Sequence, residues 1–410
     1  MRTPTALVAT LFLAGCAAGT APPPGLTGNR VESPYFDLST LRKGQIVHLP
    51  TGRSMSRDQL MGHLEAFPVV YVGETHDNIY DHEIELEVLK HLTEAFPGEV
   101  ALGLEMLARP FQNDVDAYLA GEMDDKAFVR DVWSKSWGPS AWPYYRDLLH
   151  FAREHGVPVL ALNAGNDLKA AVRKHAFDEL PPEFAARLPE DMDTADPYHR
   201  AFAEAMLMGH DAGSRYVDVF LRIETLWDET MADTAARALT AGPDAPRHLV
   251  VIAGGNHVRY GFGIPRRLFR RVPLPYVVLT PYPVEIPQDK RDRLMDVDLP
   301  YLPLRVADFY WGVGYVDLEG DRVMLGVRIE PADGGGVRVT GVTPEGSAAA
   351  AGIEAGDVIV ELDGERIDAV HDLTYQLSLH KPGDRGAVVV KRNGEEKTLE
   401  VTYDTQKHGR

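Results

Sequence analysis

The chain predicts an α/β protein, a mostly parallel sheet flanked by helices followed by a small β-rich domain. Three observations carry that expectation. From about residue 35 to 312, apolar runs of strand length alternate with segments of helical period. Two of these runs end in matching glycine-x-x-histidine turns, Gly73-Glu74-Thr75-His76 and Gly254-Gly255-Asn256-His257, about 180 residues apart. Beyond residue 320 the pattern changes to short β-rich runs, with Asn393-Gly394 as a hairpin signal. At 410 residues, more than one hydrophobic core is required.

The expected strands are 68–73, 99–104, 157–162, 248–254 and 275–280, each bounded by Gly, Pro or Asn. Helices are expected between them. Asp77 to Phe96 carries Ile84, Val88 and Leu92 at i, i+4 spacing. Trp142 to Glu154 and Asp167 to Phe177 have the same period, and Tyr216 to Leu239 aligns Phe220, Ile223, Trp227, Met231 and Ala235 in one stripe. The acidic, proline-bearing stretch 181–197 reads as an exposed excursion.

Open α/β sheets take ligands at the carboxyl ends of their strands, where glycine admits a sharp turn and close approach. Four successive expected strands end in polar groups: Glu74 with His76, then Glu105, Asn163, and Asn256 with His257. Two imidazoles and a carboxylate converging there suit a divalent metal ion or acid–base chemistry. Gly73, Gly254, Asn163, Asn256 and Asp228 are the further candidate lining residues. Glu224 and Asp228 share a helix face, which fits either a solvated surface or carboxylates holding a ligand imidazole. The aromatic group Trp133, Trp137, Trp142, Tyr144 and Tyr145 fits a wall for a flat ligand or core packing.

A net charge of −19 argues against a nucleic-acid partner, although Arg266, Arg267, Arg270 and Arg271 form a local basic patch. Residues 1–16 look like a lipoprotein signal: Met1-Arg2, an apolar stretch from Ala6 to Leu13, then Leu13-Ala14-Gly15-Cys16, which resembles a bacterial lipobox. Lipidation is expected at Cys16. The absence of Asp in Ala17-Ala18 favours the outer membrane, facing the periplasm, and 17–34 reads as a flexible tether. Cys16 is the one cysteine, so disulfides, thiolate metal sites and covalent haem attachment are excluded.

Residues 320–404 resemble a PDZ domain of the HtrA type. The matching residues are Leu325-Gly326-Val327, Val342-Thr343-Pro344-Glu345-Gly346-Ser347-Ala348, Ala351-Gly352-Ile353, Ala355-Gly356-Asp357-Val358-Ile359, Asp363-Gly364 and Lys381-Pro382-Gly383. The resemblance implies that Leu325, Gly326 and Val327 receive a peptide C-terminus by strand addition. Residues 35–312 resemble the ChaN-like family of haem-binding lipoproteins, within the TIKI and erythromycin-esterase superfamily. They do so through Val72-Gly73-Glu74-Thr75-His76-Asp77, Gly103-Leu104-Glu105-Met106, Trp227-Asp228-Glu229-Thr230-Met231-Ala232, Ile252-Ala253-Gly254-Gly255-Asn256-His257-Val258 and Gly263-Ile264-Pro265, with Ala307-Asp308-Phe309-Tyr310-Trp311 at the domain's end.

That resemblance implies haem as cofactor, with haem or an iron complex as cargo and pairing of two protomers around it. Tyr80, Tyr144, Tyr145, Tyr198, Tyr216 and Tyr260 are all candidate axial donors, and no spacing rule selects among them. Relatives also include metal-dependent peptidases and esterases. In that chemistry His76, His257 and one glutamate hold a divalent ion while the other of Glu74 and Glu105 activates water. Haem handling with a PDZ domain recruiting a peptide or periplasmic protein is the first reading. A metal-dependent hydrolase is the second, and an adaptor without chemistry the third.

Overall fold

A computed structural model describes residues 35–207, 214–293, 304–319 and 322–405. The expected lipobox, Cys16 and the tether lie outside these residues.

The large domain is built on an eight-stranded sheet of order β2-β1-β8-β7-β3-β6-β4-β5. Its strands are β1 (Ile46–His48), β2 (Arg53–Met55), β3 (Val69–Glu74), β4 (Val100–Ala108), β5 (Val159–Asn163), β6 (His248–Gly254), β7 (Tyr276–Glu285) and β8 (Phe309–Gly314). From β8 to β5 all neighbours are parallel; β1 and β2 add an antiparallel edge. The principal helices are α1 (Arg57–Leu64), α2 (Ile79–Ala95), α3 (Gln112–Leu119), α4 (Trp142–His155), α5 (Asn166–Lys174), α6 (Pro197–Met206), α7 (Ser214–Leu239) and α8 (Ile264–Arg271).

Helices cover both faces, which is why the central strands read as continuous apolar runs. The strand period of two sorts their residues. Val70 and Val72 of β3 join a core with Val88 and Leu92 of α2 and Leu149 of α4. Val69 and Tyr71 join the opposite core with Met231 and Ala235 of α7 and Leu268 of α8. The same alternation sends Glu74 toward the α2–α4 layer. On β4, Ala101 lies in the α7-side core, and Glu105 follows it in phase on that face.

Some boundaries differ from those expected. β4 runs on to Ala108, so Glu105 lies inside the strand rather than after it; the β4–β5 register shifts between Leu104 and Ala108, and such an irregularity re-aims side chains. β1 and β2, at three residues each, are too short to show a period. The helix expected over Asp167 to Phe177 ends at Lys174. The stretch 181–197 is tied down rather than free, since Arg266 holds Asp193 and Asp196.

The smaller domain has strands β9 (Val323–Met324), β10 (Val327–Pro331), β11 (Val337–Val342), β12 (Val358–Leu362), β13 (Glu365–Arg366), β14 (Arg385–Arg392), β15 (Glu395–Thr402) and β16 (Asp404–Thr405), with helices α9 (Ser347–Ala351) and α10 (Val370–Leu377). Its main sheet runs β10-β11-β12-β14-β15, leaving β10 at an edge. The apolar run 323–329 is not one strand. It breaks at Gly326, whose φ of +74° is a conformation glycine adopts freely. Asn393 and Gly394, at φ 53° and 86°, make the β14–β15 hairpin turn. Lys126 links the domains, 3.2 Å from Asp372 and donating to Arg366 O.

Candidate functional site

β3, β6 and β4 are neighbours, so their carboxyl ends deliver residues from three distant stretches to one place. Glu74 is paired in register with Gly254. His76 follows β3 and His257 follows β6, and between them lies Glu105. Its Oε2 is 3.9 Å from His76 Nε2 and its Oε1 is 3.4 Å from His257 Nε2. Glu105 is fixed from below, since Gly254 N donates to its Oε2 at 2.6 Å.

Each imidazole is oriented from behind by another carboxylate. His76 Nδ1 donates to Glu74 Oε1 at 2.9 Å, and His257 Nδ1 donates to Asp228 Oδ1 at 2.7 Å. With both Nδ1 atoms committed, both Nε2 atoms face Glu105. A carboxylate behind Nδ1 is the arrangement that fixes tautomer and orientation in metal-ligating histidines. The two glycines serve by the space they leave. A Cβ on Gly254 would sit 2.7 Å from His76 Nε2, and one on Gly73 would sit 2.5 Å from Val258 Cγ2.

Electrostatics follow from this pairing. Burial pushes the Glu105 carboxyl up, but the imidazoles of His257 and His76 outweigh it and hold its pKa down at about 2. Burial lowers His76, yet Glu74 and Glu105 raise it to about 9. His257 is likewise raised, against its burial, by Glu105 and Asp228. Glu74 is pushed up to about 7 by burial and by the neighbouring Glu85. Glu224, 3.8 Å from His257 Nδ1, also rises to about 7 because it is buried.

The remaining sequence candidates fall out as follows. Asn163 is buried and its Oδ1 accepts from Ala164 N; none of its hydrogen bonds goes to Glu105 or either histidine. Asn256 is half-buried in the turn with His257. Trp133 and Trp142 are buried in the core; of that group Trp137 lies beside His76, 4.8 Å between ring centres, and the hydroxyl of buried Tyr145 is 3.2 Å from His76 Nδ1. Among the tyrosines, Tyr80 contacts Lys43, Tyr144 accepts from Leu318 N, and Tyr145 donates to Glu74 Oε1 at 2.8 Å. Tyr198 and Tyr216 are exposed.

The basic patch is not a surface for a partner. Arg267 is fully buried and bonds Glu229 at 3.1 Å, with Asp228 at 3.6 Å. Arg270 and Arg271 also reach Glu229. A run of arginines on one short helix looks like a charged face in sequence; here it is neutralised by acidic residues of α7 and of 191–196. Sequence reasoning missed Arg267 and His199, whose Nδ1 accepts from Arg267 and whose Nε2 is 3.5 Å from Asp228. Both brace the carboxylate behind His257. It also missed Glu85, and it gave Tyr145 as a ligand wall or axial donor rather than as the hydroxyl that meets Glu74 from the helix layer.

Two cations border the site. Lys169 stands 5.1 Å over the Trp227 ring, itself 5.7 Å from His257, and Arg259 Nε is buried beside Gly255 with no hydrogen-bond partner among the described residues. In the smaller domain, Leu325, Gly326 and Val327 line a cavity of about 860 Å³ between edge strand β10, helix α10 and the start of α4. Ala348 N and Thr343 N hold the carbonyls of Leu325 and Gly326.

Comparison with known proteins adds the following. Residues 60–268, half of the chain, match the family model described as haem-binding uptake, Tiki superfamily, ChaN, and residues 323–403 match the PDZ domain model. The chain is 42% identical over 86 residues to serine protease Do-like HtrA of Lactobacillus helveticus, covering 21% of this chain and 20% of that protein. It is 25% identical over 228 residues to Protein RETICULATA-RELATED 5, chloroplastic, of Arabidopsis thaliana, covering 50% and 30%. The chain thus spans only a fifth to a third of the length of these curated relatives. A solved structure described as cofacial heme binding to ChaN of Campylobacter jejuni is similar at 17% identity and TM-score 0.49, over 65% of this chain and 95% of that one. The chain belongs to the ChaN haem-binding uptake family of the Tiki superfamily and carries a PDZ domain after its α/β domain.

Proposed function

We propose that this protein binds haem in iron handling. In this reading Cys16 anchors it by lipid to the periplasmic face of the outer membrane, and its PDZ domain recruits a peptide C-terminus or a periplasmic partner. One observation of the site supports haem most: an accessible imidazole lies in a site edged by two cations, Lys169 and Arg259, that have no ion-pair partner among the described residues. The His76 side chain is 36% exposed and lies beside Trp137. Its Nδ1 is engaged by Glu74, which leaves Nε2 as the donor. Lys169 and Arg259 suit the two propionates, and Arg259 Nε lacks a partner among the described residues. Bound haem would supply an iron centre whose electronics are set by its axial donor. The chain's own residues orient that donor and neutralise the carboxylates.

Titration of full-length protein with ferric haem, followed by the Soret band, tests this. Saturable binding at micromolar haem, weakened by His76→Ala and by Arg259→Ala, is expected. An unshifted band in the wild type would remove the reading. Pairing of protomers around haem predicts that haem addition doubles the mass seen by light scattering.

A second reading rests on a separate observation, the two carboxylate-backed imidazoles facing Glu105. With a divalent ion, His76, His257 and Glu105 would be the donor set and Glu224 the base for a bound water, Glu74 standing behind His76 as its orienting carboxylate. Stoichiometric Zn, Mn or Co and peptide or ester cleavage abolished by His257→Ala would favour it over haem.

A further inference from the structure

We propose that Glu74, His82 and Glu85 form a second, buried site for a divalent cation, on the α2 side of β3 and behind His76. The three residues each present a donor atom within 4.8 Å of the others. All are buried, and they come from two elements: Glu74 ends β3, while His82 and Glu85 lie one turn apart on α2.

The tautomer of His82 carries the argument. Its Nε2 is 3.2 Å from the backbone carbonyl oxygen of His76, an acceptor only, so Nε2 holds the proton. Nδ1 then faces carboxylate oxygens, Glu85 Oε2 at 2.9 Å and Glu74 Oε2 at 3.4 Å. Three electron-rich atoms facing one another in a buried space need a cation between them, a metal ion or a proton. A histidine that donates one ring N–H to a backbone carbonyl and offers the other nitrogen inward is oriented as metal-ligating histidines are.

Two orphaned atoms point the same way. Glu74 Oε2 and Glu85 Oε1 are buried with no hydrogen-bond partner among the described residues. Native proteins rarely leave such oxygens unsatisfied. Tetrahedral donors about 2.1 Å from a zinc-sized ion lie about 3.4 Å apart; the Nδ1 to Glu74 Oε2 separation is 3.4 Å, while Nδ1 to Glu85 Oε2, at 2.9 Å, would have to open by about half an ångström. One imidazole with two carboxylates suits Zn, Mn, Fe(II) or Co.

Glu74 connects this site to the other. Its Oε1 receives His76 Nδ1 and the Tyr145 hydroxyl, while its Oε2 faces the proposed ion. The proposal does not rest on the haem reading and survives its failure.

The test uses full-length protein stripped with chelator, then titrated with Co(II) by visible absorption and with Zn(II) by calorimetry. His257→Ala removes a donor of the other cluster and none of this one. At least one equivalent of metal bound by wild type and one retained by His257→Ala, the latter weakened at least 100-fold when His82→Ala or the near-isosteric Glu85→Gln is added, is the expected result. No Co(II) band in wild type would mean that a proton alone fills the space and would overturn the proposal. Binding lost in His257→Ala, or unchanged there when Glu85→Gln is added and the protein stays folded, would overturn it as well.

Discussion

Glu74 at the end of β3 and Glu105 inside β4 belong to one sheet and are both buried, yet their surroundings drive them in opposite directions. Glu105 has an imidazole on each side and a backbone N–H beneath, and its pKa falls to about 2. Glu74 shares its space with Glu85, and both are pushed up to about 7 by burial. The strand period explains the difference. It turns Glu105 toward α7, whose Asp228, braced by Arg267 of α8, stabilises a cationic His257, and turns Glu74 toward α2, which supplies further carboxylates. The first cluster is internally compensated. The second carries more negative groups than partners, and such a cluster calls for a proton or a metal ion.

The strongest challenge to this contrast is Glu105→Ala. It leaves two imidazoles facing a buried gap with their common counter-charge gone, and removing one member of a buried, paired set costs about 3–5 kcal/mol. Urea unfolding of the metal-free protein at pH 7 should show that loss, and a change under about 1 kcal/mol would mean Glu105 is not the keystone.

The pH dependence sharpens it next, with opposite signs on the two sides. For Glu105 the folded pKa lies below the unfolded one, so its stabilisation is present above about pH 4.5 and is lost as pH falls toward 2. For Glu74 and Glu85 the folded pKa is raised. The native state keeps protons the unfolded state has released, and stability falls as pH rises from about 4.5 to 7. His76, raised to about 9, contributes fully below about 6.5 and loses that contribution as pH climbs through 9. In chelator, Glu85→Gln should flatten the decline between pH 4.5 and 7 by about 3 kcal/mol. An unaltered slope would place the proton elsewhere.

Smaller effects probe the supports. Gly254→Ala should cost about 1–3 kcal/mol, because the new methyl meets His76 Nε2 at 2.7 Å. It should also weaken ligand binding more than Gly44→Ala, where a Cβ meets nothing within 4 Å. Asp228→Asn should lower the His257 pKa in an NMR titration and, if a metal binds there, its affinity by roughly 10–100-fold. Lys126→Ala, removing a partly exposed link between the domains, should change the melting free energy by no more than about 1 kcal/mol.

Much of this arrangement was legible in the chain. Strands ending in Gly73 and Gly254 announce themselves through apolar runs closed by glycine, and the α/β and PDZ organisation follows from period and turn residues. The role of the glycines was only half legible, since what they supply at Gly73 and Gly254 is room rather than an unusual turn. β1 and β2 escaped because three residues carry no period. Arg267 and His199 escaped because their sequence neighbourhood looks like a solvated surface. Tyr145 and Glu85 sit on helices of ordinary amphipathic pattern, and only the packing of α2 and α4 onto β3 shows that they meet Glu74. Contacts between layers leave no local signature.

The central claim is that the strand ends carrying His76 and His257 are where the ligand binds. Histidine-selective ¹⁵N spectra of the full-length protein, before and after one equivalent of ferric haem, test it most directly. The account predicts that the imidazole signals of His76 and His257 shift or broaden while His371 and His380 of the PDZ domain stay in place. Haem bound with both of those signals unmoved would contradict it.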